Sequence, residues 1–215
     1  KKLNYKIVNI NPGLGQMEIF QKSGQRKVPI LIDGSNIISD SHNIILHLEK
    51  TRNIPSLFPE ETKEAALAHI IENWADTTFA KGARNALLQA VSENNELRKL
   101  LLPESMPNNV QKIVGALPLE LLGNINEIFN RKERSALLES LLKIGSMLNK
   151  SQWLVGDRLS IADIAIAAQL YLIKFSSEAG EELEGMGCPG FYDDPRLESL
   201  FQWRDQLEMS LIDAS

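Results

Sequence analysis

The rhythm of apolar positions changes near residue 55. Before it, apolar residues come in short β-branched runs separated by turn residues; after it, they recur at helical spacing. Tyr5-Lys6-Ile7-Val8-Asn9-Ile10 reads as a strand, closed by the turn cluster Asn11-Pro12-Gly13. Residues 14–22 read as a short helix and Val28-Pro29-Ile30-Leu31-Ile32 as a second strand. Asp33-Gly34-Ser35-Asn36 is a hairpin signal, since Asp-Gly tolerates the positive φ of a tight turn, and Ile37-Ile38 continues the returning strand. Residues 40–49 then form a helix with Ile44, Ile45 and Leu48 on one stripe. The order strand–helix–strand–strand–helix predicts a thin mixed sheet with helical cover.

Pro55 and Pro59 mark a linker, which divides the chain into an α/β part, 1–52, a connection, 53–59, and an all-helical part, 60–215. Residues 60–91 predict one long Ala-rich helix with Leu67, Ile70, Ile71 and Trp74 in helical register. Pro103 and Pro107 interrupt the pattern, and a helix over 110–129 carries Gly115, Pro118 and Gly123, which predict a kink or break. Residues 133–148 are amphipathic; residues 160–175 are apolar nearly all round, the mark of a buried central helix. A Gly-rich loop spans 178–190. The last helix, 194–207, has Asp194 as N-cap and Pro195 at its first position. Trp74, Phe79 and Trp153 read as core or interface. The chain is mostly helical overall.

Composition narrows the classes. With 215 residues, 43% hydrophobic and 24% charged, the chain can bury a substantial core. Its net charge of −5 gives no electrostatic footprint for nucleic acid, and no block of Lys and Arg suggests a membrane surface. Apolar runs fall far short of the ~20 residues of a membrane span. The opening Lys1-Lys2-Leu3-Asn4-Tyr5 is followed by no apolar stretch, so it does not read as a signal peptide. The single cysteine, Cys188, rules out an internal disulfide and favours a reducing compartment, most simply the cytoplasm.

Two short stretches carry candidate chemistry. Pro29 lacks an N–H and so belongs at a strand start or edge; with a cis bond, the Val28 backbone would turn outward and pair with an extended peptide. A trans proline is the plainer expectation from residue statistics. Asp40-Ser41 stands at a helix start, where free N–H groups and the positive end of the dipole accept a carboxylate and an adjacent Asp accepts an ammonium; the plain reading is an N-cap. Ser160 and Asp163 form a capping box, with Leu159 and Ile164 as its hydrophobic staple, a structural device rather than a site. Cys188 is a lone loop cysteine and is expected to be inert. His42, His47 and His69 lack metal-ligand spacing with a cysteine, so no metal is expected; His42 and His47 are expected to face solvent. Gly13-Leu14-Gly15 lacks the third glycine of a dinucleotide loop and reads as a turn. Asp76, on the long helix, is where a partner-subunit contact is conceivable.

In this order the motifs resemble the glutathione transferase family. Ser23-Gly24-Gln25-Arg26-Lys27-Val28-Pro29-Ile30-Leu31 is similar to its cis-proline strand, and Ile37-Ile38-Ser39-Asp40-Ser41-His42-Asn43-Ile44-Ile45 to its acidic-Ser helix start. Leu57-Phe58-Pro59 resembles the interdomain linker, and Gly156 through Asp163 the capping box of the helical domain. The resemblance implies an α+β thioredoxin-like N-terminal domain followed by an all-α domain. It implies a cis Pro29, pairing of Val28 with the cysteinyl part of glutathione, the γ-glutamyl group on Asp40 and Ser41, and the glycyl carboxylate near Lys27. It also implies a homodimer formed through the helix around residues 66–84, and glutathione and a small apolar electrophile as substrates.

Against that family, Tyr5 to Ile10 corresponds to the second strand. The first strand and helix, whose junction carries the thiol-activating Tyr, Ser or Cys, are expected upstream of Lys1, so the catalytic residue is unknown. A longer gene product or another chain is expected to fill the gap, because buried backbone groups left unpaired cost kilocalories each. Residues 97–118 look unusual for the family, in a place that would reshape a second-substrate pocket. Three functions compete: glutathione conjugation, a non-catalytic binding or scaffold module, and glutathione-dependent disulfide reduction or isomerisation.

Overall fold

A computed structural model describes residues 3–10, 14–52, 55–102 and 130–213. The expected helix over 110–129, with the prolines before it, lies outside the described residues. The chain divides into two compact units, Lys1–Leu57 and Phe58–Ala214.

In the first unit, α1 (Leu14–Ser23) precedes β1 (Ile30–Asp33), β2 (Asn36–Ser39) and α2 (Ser41–Thr51). The strands are antiparallel, with Ile30 opposite Ser39 and Asp33 opposite Asn36. Gly34 and Ser35 make the two-residue loop; Gly34 takes φ +62°, which a side chain would resist. The strand expected over Tyr5 to Ile10 is not formed, and this stretch carries no strand pairing. A strand exists only where a neighbour completes its ladder. Among the described residues, β1 and β2 pair with one another alone. The second strand starts after Pro29 rather than at Val28, as a residue without an N–H dictates. Leu14 and Gly15 open α1 instead of forming a turn.

The second unit is helical. The long helix expected over 60–91 is α3 (Thr62–Trp74), a π-helical turn (Ala75–Phe79) and α4 (Ala80–Glu93). In the π turn the Ala80 N–H reaches back to the Ala75 carbonyl, and the Thr77 hydroxyl donates to the Asn73 carbonyl at 2.6 Å. Phe79 is buried and stacks on Trp74 with 5.4 Å between ring centroids. A short α5 (Asn95–Leu100) follows, capped by the Asn94 side chain, which accepts from the Glu96 and Leu97 N–H groups at 2.9 and 3.1 Å. Buried Arg98 donates to the Val91 and Ser92 carbonyls at 3.0 and 2.8 Å, closing the end of α4.

Then come α6 (Arg131–Leu148), α7 (Ile161–Leu170) and α8 (Glu198–Asp213), with a 3₁₀ turn (Pro195–Leu197) before the last. The Asp194 side chain accepts from the Arg196 N–H at 3.0 Å, and Pro195 takes the first position of that turn. Helix α7 is central, packed against α3, the π turn, α4 and α8. It is shorter than its apolar pattern, ending at Leu170 rather than Phe175. Past Leu170 the chain tightens into i→i+3 turns, the Leu172 and Ile173 N–H groups reaching the Gln169 and Leu170 carbonyls at 3.1 and 3.0 Å; there the Arg204 guanidinium, 1% exposed, donates to the Leu170 carbonyl at 3.3 Å and to the Lys174 carbonyl. It also lies 4.8 Å from the centre of the Tyr171 ring. The chain then folds back as an antiparallel bridge between Lys174 and Gly187, where a Cβ on residue 187 would stand 2.2 Å from the Ile173 carbonyl oxygen.

Candidate functional site

The candidate residues gather through the hairpin. Because Ile30 faces Ser39, Val28-Pro29 enters β1 at the same end of the hairpin at which Asp40-Ser41 leaves β2. The Val28-Pro29 bond is cis. Val28 is 66% exposed, and among the described residues its N–H and C=O have no hydrogen-bond partner. The preceding turn is braced by Gln25, whose side-chain amide donates to the Lys27 carbonyl at 3.0 Å and accepts from the Lys27 N–H at 3.3 Å. Lys27 is exposed.

Asp40 has φ +76° and ψ 134°, and no other described non-glycine residue has positive φ. Such a backbone costs on the order of 1–3 kcal/mol, so the surroundings must hold it. Part of the compensation is the cap itself: Oδ1 accepts from the His42 and Asn43 N–H groups at 3.1 and 3.4 Å. The second carboxylate oxygen has no partner among the described residues. Ser41, half-buried, opens the helix. The N-cap reading and the ammonium-acceptor reading therefore use different oxygens and do not compete.

One side-chain contact is not evident from the local sequence. His47 does not face solvent: its Nε2–H donates to the Asp33 Oδ2 at 2.8 Å, with the His47 side chain 17% exposed. The bond from His47, with Arg52 nearby at 3.8 Å, holds the Asp33 carboxyl below the usual carboxylate range. A signal existed, since His47 lies three residues after Ile44 on the stripe that faces the hairpin.

The remaining candidates are structural. The capping box is present at α7: the buried Asp163 carboxylate accepts from the Leu154 N–H, the Ser160 N–H and the Ser160 hydroxyl at 2.8, 2.8 and 2.9 Å. Burial raises the Asp163 carboxyl above its ordinary value, and these bonds offset part of the rise. Cys188 is fully buried, donates from Sγ to the Leu172 carbonyl at 3.2 Å, and has its thiol pushed up to about 12 by that burial. Asp76 lies exposed in the π turn. Tyr5 is 75% exposed in the unpaired N-terminal stretch.

The hairpin, its flanking helices and the helical unit that follows define a thioredoxin-like domain succeeded by an all-helical one. Two family models match: the N-terminal domain of glutathione S-transferase over residues 1–56, and its C-terminal domain over residues 113–184. The chain belongs to the glutathione S-transferase family. It is 30% identical over 151 residues to FtsZ-localized protein A of Caulobacter vibrioides, covering 68% of this chain and 56% of that protein, so it spans little more than half of that relative's length. It is 23% identical over 208 residues to glutathione S-transferase theta-1 of Bos taurus, covering 96% of this chain and 72% of that one. The fold matches that of the theta class glutathione S-transferase from Xanthomonas axonopodis pv. citri, solved with glutathione bound, at a TM-score of 0.53 and 20% identity over 89% of this chain and 72% of that chain.

Proposed function

We propose that this chain holds glutathione for a transferase reaction on a small apolar electrophile. The observation that supports this best is the meeting, at one hairpin end, of a Val28 backbone without a partner among the described residues and the α2 start at Asp40-Ser41. The Val28 N–H and C=O would pair with the cysteinyl backbone as an added strand. Asp40 would take the γ-glutamyl ammonium on its open oxygen, Ser41 and the helix N-terminus the neighbouring carboxylate, and Lys27 the glycyl carboxylate. In the reaction the glutathione thiol gives its proton to solvent, and the thiolate attacks the electrophilic carbon, forming a C–S bond as the bond to a leaving group breaks and that group departs with the electron pair. These four residues bind and orient, with cis Pro29 presenting the Val28 backbone; the group that lowers the thiol pKa is a separate one. The theta-class relatives favour this reading, as does a lone buried cysteine in keeping with a reducing, cytoplasmic setting.

A homodimer belongs to the same proposal. Helix α3 exposes Leu67 and Ile70, at 44% and 65%, on the segment through which the family resemblance implies pairing. A second reading, a binding module without catalysis, is favoured by the Caulobacter relative, which is named for its localisation with FtsZ. Isothermal titration of the chain with glutathione separates the two. The transferase reading expects binding that weakens about tenfold or more in Ser41→Ala, as loss of a hydrogen bond to a charged group predicts. No binding at millimolar glutathione would sink it and leave the module.

A further inference from the structure

We infer that Asp33 and His47 form a clasp that sets the position of the α2 N-terminus, making both of them positioning residues. Its functional half rests on the glutathione reading above; its structural half does not. Helix α2 has no fully buried side chain, so apolar packing alone holds it weakly. Several of its ties lie in its C-terminal half. His47 reaches Asp33 at the end of β1, at 2.8 Å, and Arg52 approaches the other oxygen of the same carboxylate at 3.8 Å. Glu49 accepts from the Ser56 hydroxyl at 3.1 Å and from the Leu57 N–H at 3.0 Å, fastening the helix to the chain just beyond it.

The lowered Asp33 carboxyl is ionised at neutral pH, so Nε2 of His47 must carry the proton in this bond. A charged acceptor makes it stronger than an ordinary neutral pair. Ser41 lies six residues before His47, ~9 Å along the helix axis. A helix tilting about the clasp by ~10° would swing its first turn by ~1.5 Å, enough to spoil a site built on hydrogen-bond distances. The clasp thus joins the far end of the hairpin, at Asp33, to the helix that begins at the near end, at Asp40. Hairpin and helix close into a triangle, with the candidate site at the corner where β2 passes into α2.

Hydrogen exchange on the whole chain tests this. His47→Phe keeps an aromatic ring but removes the donor; it should speed exchange of the α2 amides about three- to tenfold while leaving α6 amides unchanged. His47→Gln, which restores an N–H donor, should return α2 to within about twofold of the parent. Asp33→Ala, at a half-exposed site, should reproduce the His47→Phe effect and serves if that variant does not fold. Glutathione affinity should fall in His47→Phe and recover in His47→Gln. Unchanged α2 exchange in both His47→Phe and Asp33→Ala would overturn the clasp, as would His47→Gln behaving like His47→Phe. If the parent chain binds no glutathione, the transferase reading fails while the exchange result still decides the clasp.

Discussion

The two units bury their apolar residues to very different degrees. In the helical unit Leu141, Ile166, Leu170 and Phe191 are fully enclosed. In the α/β unit Ile19, at 6% exposure, is the one apolar side chain that is buried among the described residues, while Tyr5, Ile7, Val8 and Val28 stand at 66–75%. The helical unit is held by packing, and three of its buried polar groups, Arg98, Asp163 and Arg204, bind backbone at or just beyond helix ends. The α/β unit is held by a hairpin ladder, an N-cap and a few side-chain bonds. Among the described residues the Val28 backbone and one Asp40 carboxylate oxygen have no partner, and the candidate site lies there.

Truncations should expose that contrast most strongly. Leu141→Ala, at a fully buried position, is expected to lower stability to chemical denaturation by about 3 kcal/mol, whereas Ile32→Ala, at 56% exposure, should stay within about 0.5 kcal/mol. Equal losses would break the contrast. A smaller effect follows at the capping box: Asp163→Ala leaves the Leu154 and Ser160 N–H groups without their acceptor in a buried setting and should cost about 2 kcal/mol by the same measurement. A cost near that of an exposed cap, about 1 kcal/mol, would mean that water replaces the carboxylate.

The smallest effect is in acid, and the units should respond with opposite sign. Asp163 has a raised folded value, so its contribution to stability grows as pH falls toward the ordinary Asp range. Asp33 has a lowered one; its contribution is present above the ordinary range and is lost as pH falls through the lowered value. Local stabilities of α7 and α2 by hydrogen exchange, followed from about pH 7 to about pH 3, should diverge. Asp163→Asn and Asp33→Asn should each remove the slope of their own helix. Parallel slopes in the parent chain would show that neither carboxyl governs its unit.

Much of this fold was legible because local rules were obeyed. The hairpin followed from Asp33-Gly34, the N-caps from Asp40 and Asp194, and the α7 start from Ser160 and Asp163. The failures share a physical origin in distant partners. Tyr5 to Ile10 has the composition of a strand, but composition does not supply a neighbouring ladder. The turn that follows α7 is bound by Arg204, thirty-four residues beyond Leu170 in the chain. His47 looked solvent-facing because its partner, Asp33, lies fourteen residues away on another element. The candidate site was legible as two dipeptides, whereas their meeting depends on hairpin register.

The π turn at Ala75–Phe79 has a consequence for chain length. It takes up one more residue than an α-helical turn, and one residue is worth ~100° of rotation about a helix axis. Ala68 before it and Ala83, Ala86 and Ala90 after it are all buried, so the joint acts as a phase shifter that brings two stripes onto one core. Deleting a single residue there would mend the local hydrogen bonding into an unbroken α-helix and rotate the downstream alanines away from their partners. At this joint an insertion–deletion change of one residue, with no change in polarity or helix propensity, amounts to a mutation of every residue in the following helix.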